Sequence, residues 1–86
     1  MPARDQFTPR PNLPLGRYRH YKGGEYEVIE LACDEATYEW LVVYRALYDT
    51  GEAPSIWVRT YANFTETVDV DGLPTLRFTY LKGVNS

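Results

Sequence analysis

The chain has 86 residues, a formal net charge of −3 and an apolar content of 44%, and eight of its aromatic residues are tyrosines. That is the length of one domain with one core, and tyrosine, whose ring packs while its hydroxyl reaches water, favours half-buried strands. The single cysteine, Cys33, excludes an internal disulfide and fits a reducing compartment, and no run approaches the ~18 apolar residues of a membrane span.

Residues 1–15 hold four of the six prolines and little apolar periodicity, and they read as a flexible arm. They lack the apolar stretch of a secretory signal, so the cytoplasm is the expected location and the Asn63–Thr65 "NFT" sequon is idle. The arm carries Arg4 and Arg10 against Asp5, which leaves −4 for the remainder. A body of that sign repels a polyanion at long range, so any contact with nucleic acid needs a local basic patch.

Residues 16–82 are expected to form the folded domain, with 83–86 frayed. The stretch "GRYRHYKGGEYEVIEL" places Gly23-Gly24 between two aromatic, β-branched runs, the pattern of a two-residue hairpin. That loop sets Lys22 against Glu25, Tyr21 against Tyr26 and His20 against Glu27. Further out it sets Arg19 against Val28, Tyr18 against Ile29 and Arg17 against Glu30. Three of the four cations then meet a glutamate, each pair contributing roughly 0.2–1 kcal/mol, and the hairpin balances its own charge.

Two readings are open for Tyr38 to Tyr48. Trp40, Val43, Tyr44, Leu47 and Tyr48 repeat with the period of an amphipathic helix, while Trp40, Val42, Tyr44, Ala46 and Tyr48 line one face of a strand. After the "DTGEAP" loop, "SIWVRTY" reads as a strand and "ANFTET" as a short link of at most one 3₁₀ turn. Val68 and Val70 alternate with Asp69 ahead of "DGLP", where Pro74 argues against a tight two-residue loop. Leu76, Phe78 and Tyr80 alternate with Arg77 and Thr79 as one last strand. Short strands spaced about ten residues apart suggest a small barrel.

Chemistry has little to work with. The one histidine, His20, faces Glu27 in the expected hairpin, and Cys33 lies beyond the paired region, so a Cys–His dyad is awkward and Cys33 reads as a small buried thiol. One His and one Cys do not close a zinc site, and "DVDG" at Asp69 to Gly72 lacks the later ligands of a calcium loop. Gly23-Gly24 sits at a hairpin tip with no helix after it, unlike a phosphate loop. No catalytic residue, cofactor or metal is expected.

Three motifs in order carry a resemblance. "GRYRHYKGGEYEVIELA", "LVVYRALY" at Leu41 to Tyr48 and "WVR" at Trp57 to Arg59 resemble the YRHYKG, VVYRALY and WVRP motifs of the bacterial domain-of-unknown-function 1653 family, over roughly residues 16–80. The resemblance implies an all-β, SH3-like small barrel of about five to six short antiparallel strands, and makes the Tyr38–Tyr48 region a strand. Thr60 departs from the pattern, which has proline there. The family brings no established function and no site residues.

Binding remains as the functional expectation. Tyr18, Arg19, Tyr21, Tyr26, Tyr44, Arg45, Trp57 and Arg59 make up a candidate surface of rings and guanidiniums. Such a surface suits a proline-rich or acidic peptide, and it also suits stacked single-stranded bases. The plainer reading makes most of these rings core or rim, with arginine stems across them. A non-catalytic protein- or peptide-binding module is expected first, and a single-stranded RNA- or DNA-binding barrel is the alternative. Arg45 and Arg59, each inside an apolar strand, are either partners of a glutamate such as Glu30 or Glu39 or point into a groove. Monomer, or weak dimer through a strand edge, is the expected state.

Overall fold

The computed structural model describes residues 7–83. Its elements run β1 (Gly16–His20), β2 (Glu25–Cys33), β3 (Trp40–Ala46), β4 (Ile56–Thr60), α1 (Tyr61–Thr65), β5 (Thr67–Val70), β6 (Leu73–Leu76) and β7 (Phe78–Lys82). The protein is therefore all-β, but the barrel is not closed. Seven strands divide into a five-stranded antiparallel sheet, ordered β4-β3-β2-β1-β7, and a separate β5-β6 ribbon. Closure would require β4 to pair with β7. The chain between them instead folds into one helical turn and a ribbon that pairs only with itself, so among the described residues both outer edges of the large sheet stay open.

Register in the first hairpin differs from the sequence reading. Tyr18 pairs with Tyr26, Arg17 with Glu27 and Arg19 with Glu25, three positions from the two-glycine-loop register. His20 donates its N–H to Gly24 O at 2.8 Å and accepts from Gly23 N at 2.8 Å, so the loop is Tyr21-Lys22-Gly23. Only Gly23, at φ +109°, takes the left-handed backbone that a three-residue hairpin loop ends on. The charge balance holds only in part and with different partners: Glu25 receives Arg19 at 3.1 Å and Arg17 at 3.8 Å, while among the described residues Lys22 and His20 meet no carboxylate. Glu30 is taken by Arg10 at 2.6 Å.

Trp40–Ala46 is a strand, as the resemblance implied. Val42, Tyr44 and Ala46 are buried on one face while Arg45 is exposed on the other, the alternation of a half-covered sheet. The link after β4 is a single α-helical turn, capped by the Thr60 hydroxyl accepting from Asn63 N at 3.1 Å. Two further expectations are corrected. Asp71 and Gly72, at φ 52° and 82°, make a tight two-residue turn, because an Asp-Gly pair supplies the left-handed backbone and Pro74 sits in a ribbon with free outer edges. The expected last strand is two: it breaks at Arg77, whose N–H bonds Glu66 O at 3.2 Å, and this places Leu76 in the ribbon and Phe78 in the sheet.

The core gathers Tyr18, Val28, Leu31, Val42, Tyr44, Phe64 and Phe78 on the inner face of the sheet, lidded by α1. Phe64 from α1 stacks on Phe78 at 4.0 Å between ring centroids. Residues of the N-terminal segment lie against this body. Tyr18 donates its hydroxyl to Pro14 O at 2.6 Å, Trp40 donates its indole N–H to Thr8 O at 3.0 Å, and Leu13 and Leu15 pack on the core. The first six residues of the expected arm, and 84–86 of the expected frayed end, lie outside the described residues. Among the described residues no helix is long and apolar enough to cross a membrane.

Candidate functional site

Antiparallel partners share a face, so Arg59, opposite Val42, and Trp57, opposite Tyr44, point to the inner side of the sheet. Arg45, between Glu27 on β2 and Ile56 on β4, points to the outer side. The eight candidates therefore do not make one surface. Tyr18 is core, its phenol pushed up to about 12 by burial first and then by Tyr80 and Tyr61. Arg19 is exposed on the outer face and held by Glu25. Tyr21 is at the hairpin tip, its ring 4.6 Å from that of His20. Tyr26, Tyr44 and Arg59 come together.

They meet in an open cavity of about 450 Å³ at the hairpin end of the inner face. Its aromatic walls are Tyr26, Tyr44, Tyr48 and Phe78, and its polar groups are His20, Lys22 and Arg59. The rings brace one another edge to face: Tyr26 lies 5.3 Å from Tyr44, 5.5 Å from Tyr48 and 5.8 Å from Phe78. The Tyr26 and Tyr48 hydroxyls are 2.6 Å apart in a hydrogen bond, and burial, then that bond, push the Tyr26 phenol up to about 12.

Arg59 is fixed by neutral acceptors. Its Nε donates to the Tyr44 hydroxyl at 3.0 Å and its Nη1 to Asn63 Oδ1 at 2.6 Å, with the guanidinium carbon 5.6 Å from the Phe78 ring centroid. Asn63 is in place because α1 turns at Thr60, and its own amide donates to Glu66 Oε1 at 3.1 Å. Arg77 bonds that same carboxylate and so neutralises it. Among the described residues, no carboxylate stands within ion-pair distance of Arg59. His20 accepts Lys22 N–H on Nδ1 at 3.2 Å, an acceptor role that only the neutral ring can fill, which leaves the proton on Nε2. Burial, then Arg59, Arg77 and Lys22, hold its pKa below the ordinary value.

Sequence reasoning missed His20, Lys22, Tyr48 and Phe78 as members of this site. His20 lies opposite Phe78 of β7, its ring 4.9 Å away, rather than opposite Glu27 as the two-glycine loop implies. Cys33 is at the far end of the nine-residue strand β2, roughly 25 Å along the sheet from the hairpin at ~3.3 Å per residue.

A second feature lies on β4. Ile56, Trp57 and Val58 are 52%, 41% and 58% exposed on the open edge of the sheet.

The comparisons agree with this fold. The family model described as "Protein of unknown function (DUF1653)" matches residues 16–80. A crystal structure of a DUF1653 protein from Bordetella bronchiseptica is similar at 37% identity and a TM-score of 0.77, covering 85% of this chain and 92% of that one. No curated protein matches the sequence. With its hairpin, β3 and β4 motifs all inside the matched span, the chain belongs to the DUF1653 family.

Proposed function

We propose that this domain is a non-catalytic protein-binding module that takes up an extended segment of a protein partner along β4. The observation that carries this reading is the edge itself. A five-residue strand with three successive exposed apolar side chains and, among the described residues, no strand on its outer side is a template for strand addition. Natural edges are blunted by lysine, proline or a bulge. β4 has no lysine or proline, and the one blunting device it carries is an inward-pointing charge, Arg59, which leaves its three apolar side chains exposed. Main-chain bonds would supply affinity, and Ile56 and Val58 on one face and Trp57 on the other would read alternate side chains of the partner.

The nucleic-acid alternative has less support, because two of its hairpin cations are engaged: Arg17 and Arg19 both pair with Glu25. Binding to single-stranded RNA or DNA would weaken steeply with salt, whereas strand addition would not.

Peptides selected from a random library and titrated into the ¹⁵N-labelled domain test the proposal. The expected result is shifts concentrated on 56–60, lost in Val58→Pro. Failure to select any peptide, or shifts that leave β4 untouched, would overturn it.

A further inference from the structure

The β4 edge leaves the cavity between the first hairpin and Arg59 without a role, and its chemistry is of a different kind. In a chain of net charge −3, this cavity is lined by His20, Lys22 and Arg59 and, among the described residues, by no carboxylate. The nearest acid of the hairpin, Glu25, is turned to the outer face, where Arg17 and Arg19 hold it. Glu66 reaches Arg59 only through the Asn63 amide and is itself bonded by Arg77. A half-buried guanidinium is ordinarily matched by a carboxylate, because leaving a charge unpaired in a site partly closed to water is unfavourable. Here two neutral acceptors orient it instead, and among the described residues Nη2 has no acceptor.

We propose that this cavity is a binding site for an oxyanion group, phosphate or carboxylate, carried on a small aromatic body. Arg59 supplies the planar fork that matches an oxyanion with paired N–H groups. Lys22 adds a mobile charge at the rim, 5.8 Å from the Tyr21 ring centroid. His20, with Nδ1 occupied by the Lys22 amide, offers Nε2–H. Tyr26, Tyr44, Tyr48 and Phe78 supply apolar walls, and a volume of about 450 Å³ falls within the ~300–1,000 Å³ of ordinary small-molecule sites. Tyr44 and Asn63 are positioning residues: they touch Arg59 and set its direction. This site lies on the inner face; it shares Arg59 with β4, and shifts at His20, Gly24 and Tyr26 distinguish it from strand addition at the β4 edge.

The environment of His20 makes the site pH-sensitive. The groups that face His20 are Tyr21 and Lys22 of its own hairpin, Tyr26 of β2, Arg59 of β4, and Phe78 with the neighbouring Arg77. The charged ones are all cations, and an anion seated among them would offset their repulsion of the imidazolium. Binding therefore raises the His20 pKa and takes up a fraction of a proton, so affinity for a carboxylate, which stays ionised there, increases as pH falls through the histidine range; a phosphate monoester takes up its own proton at about pH 6 and opposes the trend.

The test is an NMR titration of the ¹⁵N-labelled protein with phenyl phosphate, benzoate and neutral phenol, following backbone amides, the Arg59 Nε–H and the His20 ring. The expected result is saturable shifts at His20, Gly24, Tyr26 and Arg59 with one or both oxyanions, a raised His20 pKa, and none of this with phenol. The two oxyanion arms distinguish a phosphate site from a carboxylate site. Arg59→Gln should weaken binding by roughly tenfold or more, as expected for loss of a charge-assisted pair. Because Arg59 also braces Tyr44 and Asn63, Lys22→Ala serves as a second variant that touches no core contact and should weaken binding severalfold. Arg45→Gln, on the opposite face, should bind as wild type. Absence of saturable shifts with both oxyanions, equal binding of phenol, or undiminished binding in folded Arg59→Gln and in Lys22→Ala would overturn the proposal.

Discussion

Tyr18 and His20 sit two residues apart on β1 with their rings on the same inner face, yet they stand in opposite relations to pH. The Tyr18 hydroxyl donates to Pro14 O at 2.6 Å while its ring meets Phe64 and Tyr80 at 5.4 and 5.3 Å. Tyr18→Phe keeps those ring contacts and loses the bond, so denaturant unfolding should show a loss of about 1 kcal/mol. His20 has a folded pKa lowered from 6.5, so the unfolded chain binds its proton first. Stability should therefore be undiminished by this residue above pH 6.5 and should fall as pH drops from there to the folded value. His20→Gln should remove that slope, as measured by thermal melts across the range. Glu30 has the reverse relation, its carboxyl held low first by the Arg10 bond and then by Leu31 N–H. Its contribution is present above the ordinary carboxylate value and is lost as pH falls through the folded one. Arg10→Ala should move the Glu30 titration, followed by carboxyl NMR, back towards 4.5. Arg45 lies exposed beside Glu27, so Arg45→Ala should leave the melting temperature close to wild type.

Among the elements, the β1–β2 hairpin shows how a partly correct inference can rest on a wrong register: Arg17 and Arg19 meet a glutamate, while among the described residues Lys22 and His20 do not. Glutamates at 25, 27 and 30 offer partners to Arg17 and Arg19 in more than one alignment, so charge pattern alone does not choose between them. Backbone conformation chooses: Gly23 takes positive φ, so the loop is three residues long. Gly23→Ala should destabilise by about 1–2 kcal/mol for want of that conformation, with unfolding as the readout. The one-turn helix α1 is too short to stand by propensity and depends on its ends. Thr60, where the family pattern has proline, supplies the hydroxyl that caps Asn63 N. Thr60→Ala should lower stability by about 1 kcal/mol. Because Asn63 holds Arg59, it should also blur the Arg59 Nε–H signal.

At the scale of the molecule, one aromatic core joins the sheet to α1. Phe64 is 1% exposed and contacts Phe78, Tyr18 and Tyr44, so Phe64→Ala should cost about 3–5 kcal/mol and unfold the domain as a unit. Much of this was legible in the chain. Alternating aromatic and β-branched residues marked strands in β1, β2 and β4, the motifs made β3 a strand where its periodicity was double, and local charge complementarity showed that hairpin arginines meet hairpin glutamates. These are short-range properties: a period of two states which side chains share a face, and neighbours in sequence state which charges can meet. The tertiary structure alone decided that β4 and β7 do not close a barrel, that Arg45 and Arg59 stand on opposite faces, and that His20 meets Arg59 and Phe78 rather than Glu27. Each of those outcomes depends on which edge pairs with which, and in what register. Such choices are settled by contacts between residues far apart in the chain, where a shift of one position exchanges the buried face for the exposed one.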